Sequence, residues 1–215
     1  MSMRMDLKTK IDPKHTALVV IDIQKDFASP QGIRGQGGGD LSLVDPMVDK
    51  FEKLLPVAKR AGVLILYTQQ IYRREKLNDL QKEQFDLDGK LIMCDPKTGG
   101  HEFYRIDPPQ EDVFEKQNFN AFSNTALQER LDAHGIKTLV ITGMDTYYCV
   151  ETAIRNGYDL GYKIVVPTDL VAGNAKYMEL HNRTLELVDK TYGVLTTAHE
   201  LETLWAVNEA MDRGT

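Results

Sequence analysis

The sequence predicts an α/β fold in which a parallel sheet carries helices on both faces. Three observations lead to it. Short apolar runs alternate with amphipathic helical patterns almost from end to end. The first run, Thr16-Ala-Leu-Val-Val-Ile-Asp22, is continuous rather than alternating, which suits a strand buried on both faces. Glycines stand at the ends of helical patterns, at Gly62, Gly135 and Gly161, where stop signals belong. Strand–helix alternation of this kind builds parallel sheets through right-handed crossovers.

The elements follow in order. Pro46 to Ala61 reads as a helix, with Pro46 near its first turn and Asp45 as its cap. Gly62 stops it, and Val63 to Thr68 is the second strand. Asp112 to Lys116 is a weaker third strand. Thr125 to His134 is a helix ended by Gly135. Thr138 to Thr142 is a β-branched, apolar strand that runs into Gly143. A helical pattern then starts near Tyr147, with Val150, Ala153, Ile154 and Tyr158 on one face. A strand from Tyr162 to Pro167, a helix from Tyr177 to Lys190, a short strand from Gly193 to Thr197 and a helix from Leu201 to Met211 complete the chain.

Two stretches break this rhythm. Ser29 to Ser42 is glycine-rich, but Gly35-Gln-Gly37-Gly-Gly-Asp40 does not fit G-x-G-x-x-G and no Walker-type Lys-Ser/Thr follows. It reads as a flexible surface loop. Arg73 to Gln110 is a long polar segment with a short helix at Glu75 to Phe85 and a hairpin at Asp88-Gly89. Loops of that length are usually lids, binding loops or oligomer contacts.

Composition narrows the function classes. A chain of 215 residues suits one α/β domain over 1–215, or a domain with a small insertion. The net charge of -6 argues against nucleic acid as a partner. No apolar run approaches the roughly 18 residues of a membrane span, and the first residues lack the apolar core of a secretory signal. Cys94 and Cys149 have neither metal nor redox-pair spacing, so a reduced, cytoplasmic setting is expected.

Chemistry concentrates at strand ends. In open α/β sheets ligands bind beyond the carboxyl ends of the strands, where strand order reverses. Asp22 closes the first strand, Lys116 closes the third, and Cys149 follows the fourth. A cysteine at a strand-to-helix junction faces unpaired helix N–H groups, which lower a thiol's pKa. Asp22, ending a dry apolar strand, suits proton transfer. Lys116 can hold both neighbours as anions or orient the carboxylate. Each residue alone has a bland role, as a buried cysteine, a turn cap or a solvated charge. The three together point to a thiol nucleophile.

Three blocks of sequence carry a family resemblance. They are Ala17-Leu-Val-Val-Ile-Asp22-Ile-Gln24-Lys-Asp26-Phe27, Lys116-Gln-Asn-Phe-Asn-Ala121-Phe122-Ser-Asn-Thr125-Ala-Leu127, and Thr142-Gly143-Met-Asp-Thr146-Tyr-Tyr-Cys149-Val150-Glu-Thr-Ala153. They are similar to D-x-Q-x-D-F, K-x-x-x-S-A-F-x-x-T-x-L and T-G-x-x-T-x-x-C-V-x-x-T-A, in that order, of the isochorismatase-like cysteine hydrolases. The resemblance implies a three-layer α/β/α, Rossmann-like fold with a six-stranded parallel sheet, and a triad of Asp22, Lys116 and Cys149. It also implies a cis peptide at Met144-Asp145, which aims the N–H groups of Asp145 and Cys149 at one point as an oxyanion hole.

The departures from relatives matter as much. True isochorismatases lack a cysteine at this position, so Cys149 points to hydrolysis of a carbon–nitrogen bond in a small amide, ureide or carbamoyl compound. Cysteine-independent vinyl-ether hydrolysis and a non-catalytic binding protein of the same fold are the alternatives. Metal-binding nicotinamidases carry D-x-H after the second strand, whereas Tyr67-Thr-Gln-Gln-Ile-Tyr-Arg-Arg74 has no histidine, and a lone His101 is more often solvated than a ligand. No metal and no other cofactor is expected. Gln24, Phe27, Gln70, Tyr72, Phe119 and Tyr148 are candidates for contact with a small-molecule substrate, and a homo-oligomer is expected by analogy. Asp145 is unusual, because the family more often has a small or apolar residue there. Its carboxylate either disfavours the thiolate, points outward, or reads a cationic or N–H-rich substrate.

Overall fold

The computed structural model describes residues 7–88 and 92–212. Among them, β1 (Thr16–Ile21), β2 (Leu64–Gln70), β3 (Val113–Lys116), β4 (Thr138–Met144), β5 (Lys163–Pro167), β6 (Val171–Ala172) and β7 (Gly193–Thr196) form one sheet. The pairings are all parallel, in the order β3-β2-β1-β4-β5-β7, with β6 beside the end of β4. The six strands expected from the sequence are present. Val171–Ala172 adds a seventh, too short to show any period in the sequence.

Helices cover both faces. They are α1 (Val44–Arg60), α2 (Thr125–Ala133), α3 (Glu151–Asp159), α4 (Met178–Leu187) and α5 (Ala198–Asp212). The alternation of side chains in β1 assigns the layers. Leu18 and Val20 join Phe51 and Leu54 of α1 and Trp205 of α5, whereas Ala17, Val19 and Ile21 join Leu127 and Leu131 of α2 and Ala153 and Ile154 of α3. Burying each large aliphatic side chain is worth about 1.5–3 kcal/mol. A one-residue slip of β1 would exchange the two sets, so packing fixes its register. No helix among the described residues is long and apolar enough to cross a membrane.

Several local expectations are corrected. α1 begins at Val44, two residues early, so Asp45 lies inside the first turn rather than capping it. Its carboxylate instead accepts from the Tyr104 hydroxyl at 2.9 Å and pairs with Arg105 at 3.3 Å. Tyr158 is 45% exposed rather than core-facing, and packs edge-on against Tyr192. Gly157 faces the sheet instead, close to Leu139 and Ile164. The glycine-rich stretch is not a free loop. It contains a helical turn, Ile33–Gln36, and its far end is docked by Asp40 N–H donating to Asn174 Oδ1 at 2.9 Å.

The long segment after β2 also folds onto the body. It holds a 3-10 turn at Arg74–Lys76 and a helix at Asp79–Asp88, while the hairpin expected at Asp88-Gly89 runs into 89–91, outside the described residues. Farther on, Lys25 N–H donates to Glu102 O (2.8 Å), Asp26 N–H to Gly100 O (3.0 Å) and Tyr104 N–H to Ile23 O (2.9 Å). Residues 94–104 are thus a wall laced to the loop after β1.

Candidate active site

Strand order reverses between β1 and β4, so the crevice for a ligand lies beyond their carboxyl ends. The two backbones touch there. A Cβ on Gly143, whose φ is +105°, would lie 2.0 Å from Ile21 O, so only glycine fits. Immediately after Ile21, Asp22 takes a left-handed φ of 48°, which turns its fully buried side chain out of the strand path. Its backbone is held on both sides, by Asp22 N–H to Thr68 O (3.3 Å) and Gln24 N–H to Asp22 O (2.8 Å).

Lys116 is the hub. Its ammonium lies 2.6 Å from Asp22 Oδ2, with both side chains at zero exposure. It donates to Gln70 Oε1 (2.7 Å), Asn118 O (3.0 Å) and Cys149 Sγ (3.4 Å). Burial alone would push its pKa down, but Asp22 and Cys149 outweigh that and hold it above the ordinary lysine value. Thr68 Oγ1 donates to Asp22 Oδ1 at 2.7 Å and fixes the carboxylate plane. The structure thus brings together three residues that the sequence scatters over more than half its length.

Cys149 lies on a π-helical turn, Thr146–Val150, between β4 and α3. The Met144–Asp145 peptide before it is cis. Thr146 Oγ1 donates to Ala172 O at 3.0 Å, so the buried His181 must donate from Nδ1 to Thr146 Oγ1 at 2.9 Å, which fixes its tautomer. A helix N-terminus alone predicts a depressed thiol pKa. The structure reverses that direction: burial raises it, the Asp22 carboxylate adds to the rise, and Lys116 opposes both. A thiol beside a carboxylate is a pair suited to proton transfer.

Asp145 faces Arg34, which no motif in the sequence marks. Arg34 Nη1 and Nη2 donate to Asp145 Oδ1 and Oδ2 at 2.6 and 2.5 Å. Burial pushes the Asp145 carboxyl up, and Arg34 works against that rise. Of the readings left open, an outward-facing carboxylate does not hold, since Asp145 is buried.

The remaining candidates divide into three kinds. Gln24 is fully buried and its amide is engaged, with Nε2 donating to Gln70 O (2.8 Å) and His101 O (2.6 Å) and Oε1 accepting from Gln70 N–H (2.8 Å). It holds Gln70 instead of presenting free donors. Phe27 carries the Arg34 guanidinium 5.2 Å above its ring. Gln70 is buried with Nε2 lacking a protein partner. Tyr72 is half-buried, and burial pushes its hydroxyl well above the ordinary tyrosine value, with Cys149 and Asp22 adding to the rise. Phe119 and Tyr148 are about half exposed and stack at 5.5 Å, forming a rim.

Residues 16–200 match the family model for the isochorismatase domain. The chain belongs to the isochorismatase family. Among curated isochorismatase-family relatives, ureidoacrylate amidohydrolase RutB of Acinetobacter baylyi is 31% identical over 203 residues, covering 86% of this chain and 81% of that protein. The solved structure of a cysteine hydrolase from Pseudomonas syringae pv. phaseolicola superposes with a TM-score of 0.77 at 25% identity, over 93% of this chain and 96% of that one. An N-carbamoylsarcosine amidase from Thermoplasma acidophilum shares the fold, with a TM-score of 0.66 at 23% identity over 85% and 96% of the two chains.

Within this isochorismatase-family domain, Asp26 joins Arg34 as a residue whose part is visible only in three dimensions. It is buried and accepts from Ile33 N–H (3.1 Å) and Cys94 N–H (2.7 Å), clasping the glycine-rich stretch to the wall. Its motif position signals importance, but nothing in the local pattern names its partners.

Proposed function

We propose that the chain is a cysteine hydrolase that cleaves a C–N bond of a small amide, ureide or carbamoyl compound through a thioester. The observation that carries this reading is the single buried ammonium of Lys116, in reach of both the Asp22 carboxylate (2.6 Å) and Cys149 Sγ (3.4 Å). In the proposed cycle Asp22 takes the thiol proton as Sγ attacks the carbonyl carbon. The N–H groups of Asp145 and Cys149 stabilise the tetrahedral oxyanion. The C–N bond then breaks, and Asp22 returns the proton to the departing nitrogen. A water gives its proton to Asp22 and attacks the thioester; on collapse the proton returns to sulfur and the acid leaves. The curated relative named for ureidoacrylate supports a ureide as the first class to try.

Gln70 is the specificity contact in this reading. Lys116 only donates, so Gln70 Oε1 must face it and Nε2 must face away, leaving buried N–H donors for a substrate oxygen. Gln70→Leu should lower kcat/KM about tenfold, chiefly through KM, as loss of one neutral hydrogen bond does. An unchanged KM would confine Gln70 to holding Lys116. Phe119 and Tyr148 form the substrate rim. The neighbouring exposed Tyr177, Met178 and Leu180 support a homo-oligomeric contact, and the two free cysteines, Cys94 and Cys149, support a reducing, cytoplasmic setting.

A panel of small amides, ureides and carbamoyl compounds, read as ammonia release, tests the activity. Acid quenching followed by mass spectrometry should find an acyl group on Cys149 for any active substrate. Turnover with no such adduct under single-turnover conditions would remove the thioester.

A further inference from the structure

Asp145 poses an electrostatic problem that the triad does not solve. It stands four residues before Cys149 on the same turn, and its side chain is 7% exposed. A lone carboxylate there would oppose both ionisation of the thiol and charge on the oxyanion. Arg34 answers it. The guanidinium is 12% exposed, meets the carboxylate as a two-toothed fork at 2.6 and 2.5 Å, and rests over the ring of Phe27. The glycine-rich stretch that delivers it is itself fastened, with Gly39 N–H donating to Arg34 O at 2.9 Å.

The charges of the site sum to zero with this pair in place. Lys116 balances Asp22 (+1 − 1), and Arg34 balances Asp145 (+1 − 1). Without Arg34, the buried site would carry one net negative charge before Cys149 gave up its proton. Each additional anion in a low-dielectric site makes the next one harder to form.

We propose that Arg34 is a positioning residue which, acting through Asp145, keeps the nucleophile's turn electrically neutral and so keeps Cys149 able to ionise. Arg34 touches neither the thiol nor the substrate in this scheme. The Asp145 carboxylate pushes the Cys149 thiol up, and Arg34 is the cation that faces Asp145 directly. The inference rests on Cys149 being the nucleophile, and its test separates the two claims.

The experiment measures the pH dependence of Cys149 alkylation by iodoacetamide, without substrate, with mass spectrometry distinguishing Cys149 from the buried Cys94. Arg34→Gln should move the midpoint up by about one pH unit and slow alkylation about tenfold below it. Asp145→Asn should move it down, because the Arg34 charge is then unopposed. Arg34→Gln/Asp145→Asn should return it close to wild type. Arg34→Lys keeps the charge without the fork and should hold the wild-type midpoint, which preserves the test if Arg34→Gln does not fold. An unshifted midpoint in Arg34→Gln, or a double variant that behaves like Arg34→Gln alone, would overturn the role of Arg34. If wild-type Cys149 resists iodoacetamide, the same shifts are read from the pH profile of kcat/KM on an active substrate; a Cys149 that takes neither iodoacetamide nor an acyl group would remove the nucleophile, and the inference with it.

Discussion

Replacing Cys149 by alanine is expected to abolish turnover, by about ten-thousandfold or more, while leaving the fold in place. Losing the nucleophile of a covalent mechanism removes the step on which the other groups act, so its cost is close to that of removing the whole set. The structural cost is small by comparison. Only the sulfur is lost from a residue 6% exposed at the edge of the core, and such a deletion destabilises by about 1 kcal/mol. Steady-state kinetics on the best substrate of the panel, paired with thermal melting, checks both halves. Serine should fare no better, because its hydroxyl is a far weaker acid than a thiol and Asp22 is its only nearby base. A Cys149→Ala enzyme that kept most of its activity would favour cysteine-independent vinyl-ether chemistry.

The second large effect is on stability as well as rate. Lys116→Met should destabilise the protein by about 3–5 kcal/mol, because it leaves the Asp22 carboxylate buried without its cation. Removing both charges together, in Asp22→Asn/Lys116→Met, should recover most of that loss while restoring no activity. Urea denaturation at neutral pH measures it. The sign follows from the Lys116 ammonium being held above the ordinary lysine value by Asp22 and Cys149. A lysine whose folded pKa is raised contributes stability fully below its unfolded value and loses it as pH rises through the folded one. At neutral pH the whole contribution is therefore present. A double variant no more stable than Lys116→Met would mean that packing, rather than charge, holds this centre.

Both tests concern residues readable in the sequence, and there is a physical reason for that. Asp22 and Cys149 follow strands apolar enough to announce themselves through composition, and Lys116 ends a weaker strand but opens a motif block. The two-residue β6 leaves no period to detect. The outward turn of Tyr158 reflects its packing against Tyr192, a neighbour distant in sequence. Arg34 was hidden for a stronger reason. Its partner lies 111 residues away, and a glycine-rich composition describes conformational freedom, not the contacts that remove it. The direction of the thiol's shift is not legible because a helix N-terminus is a local cue, whereas burial and a distant carboxylate raise it.

The contact of Gly143 with Ile21 sets a distance that side-chain substitutions cannot alter. Asp22 and the cis-peptide turn follow directly from two main chains that abut with no side chain between them. The gap between Asp22 and the turn that bears Cys149 is therefore a spacer made of backbone alone. Mutations in the walls, the rim or the long segment can remodel what enters the crevice, yet none of them can change the thickness of that spacer. Substitutions that alter what enters the crevice are thereby expected to leave the spacing of Asp22 and the Cys149 turn untouched.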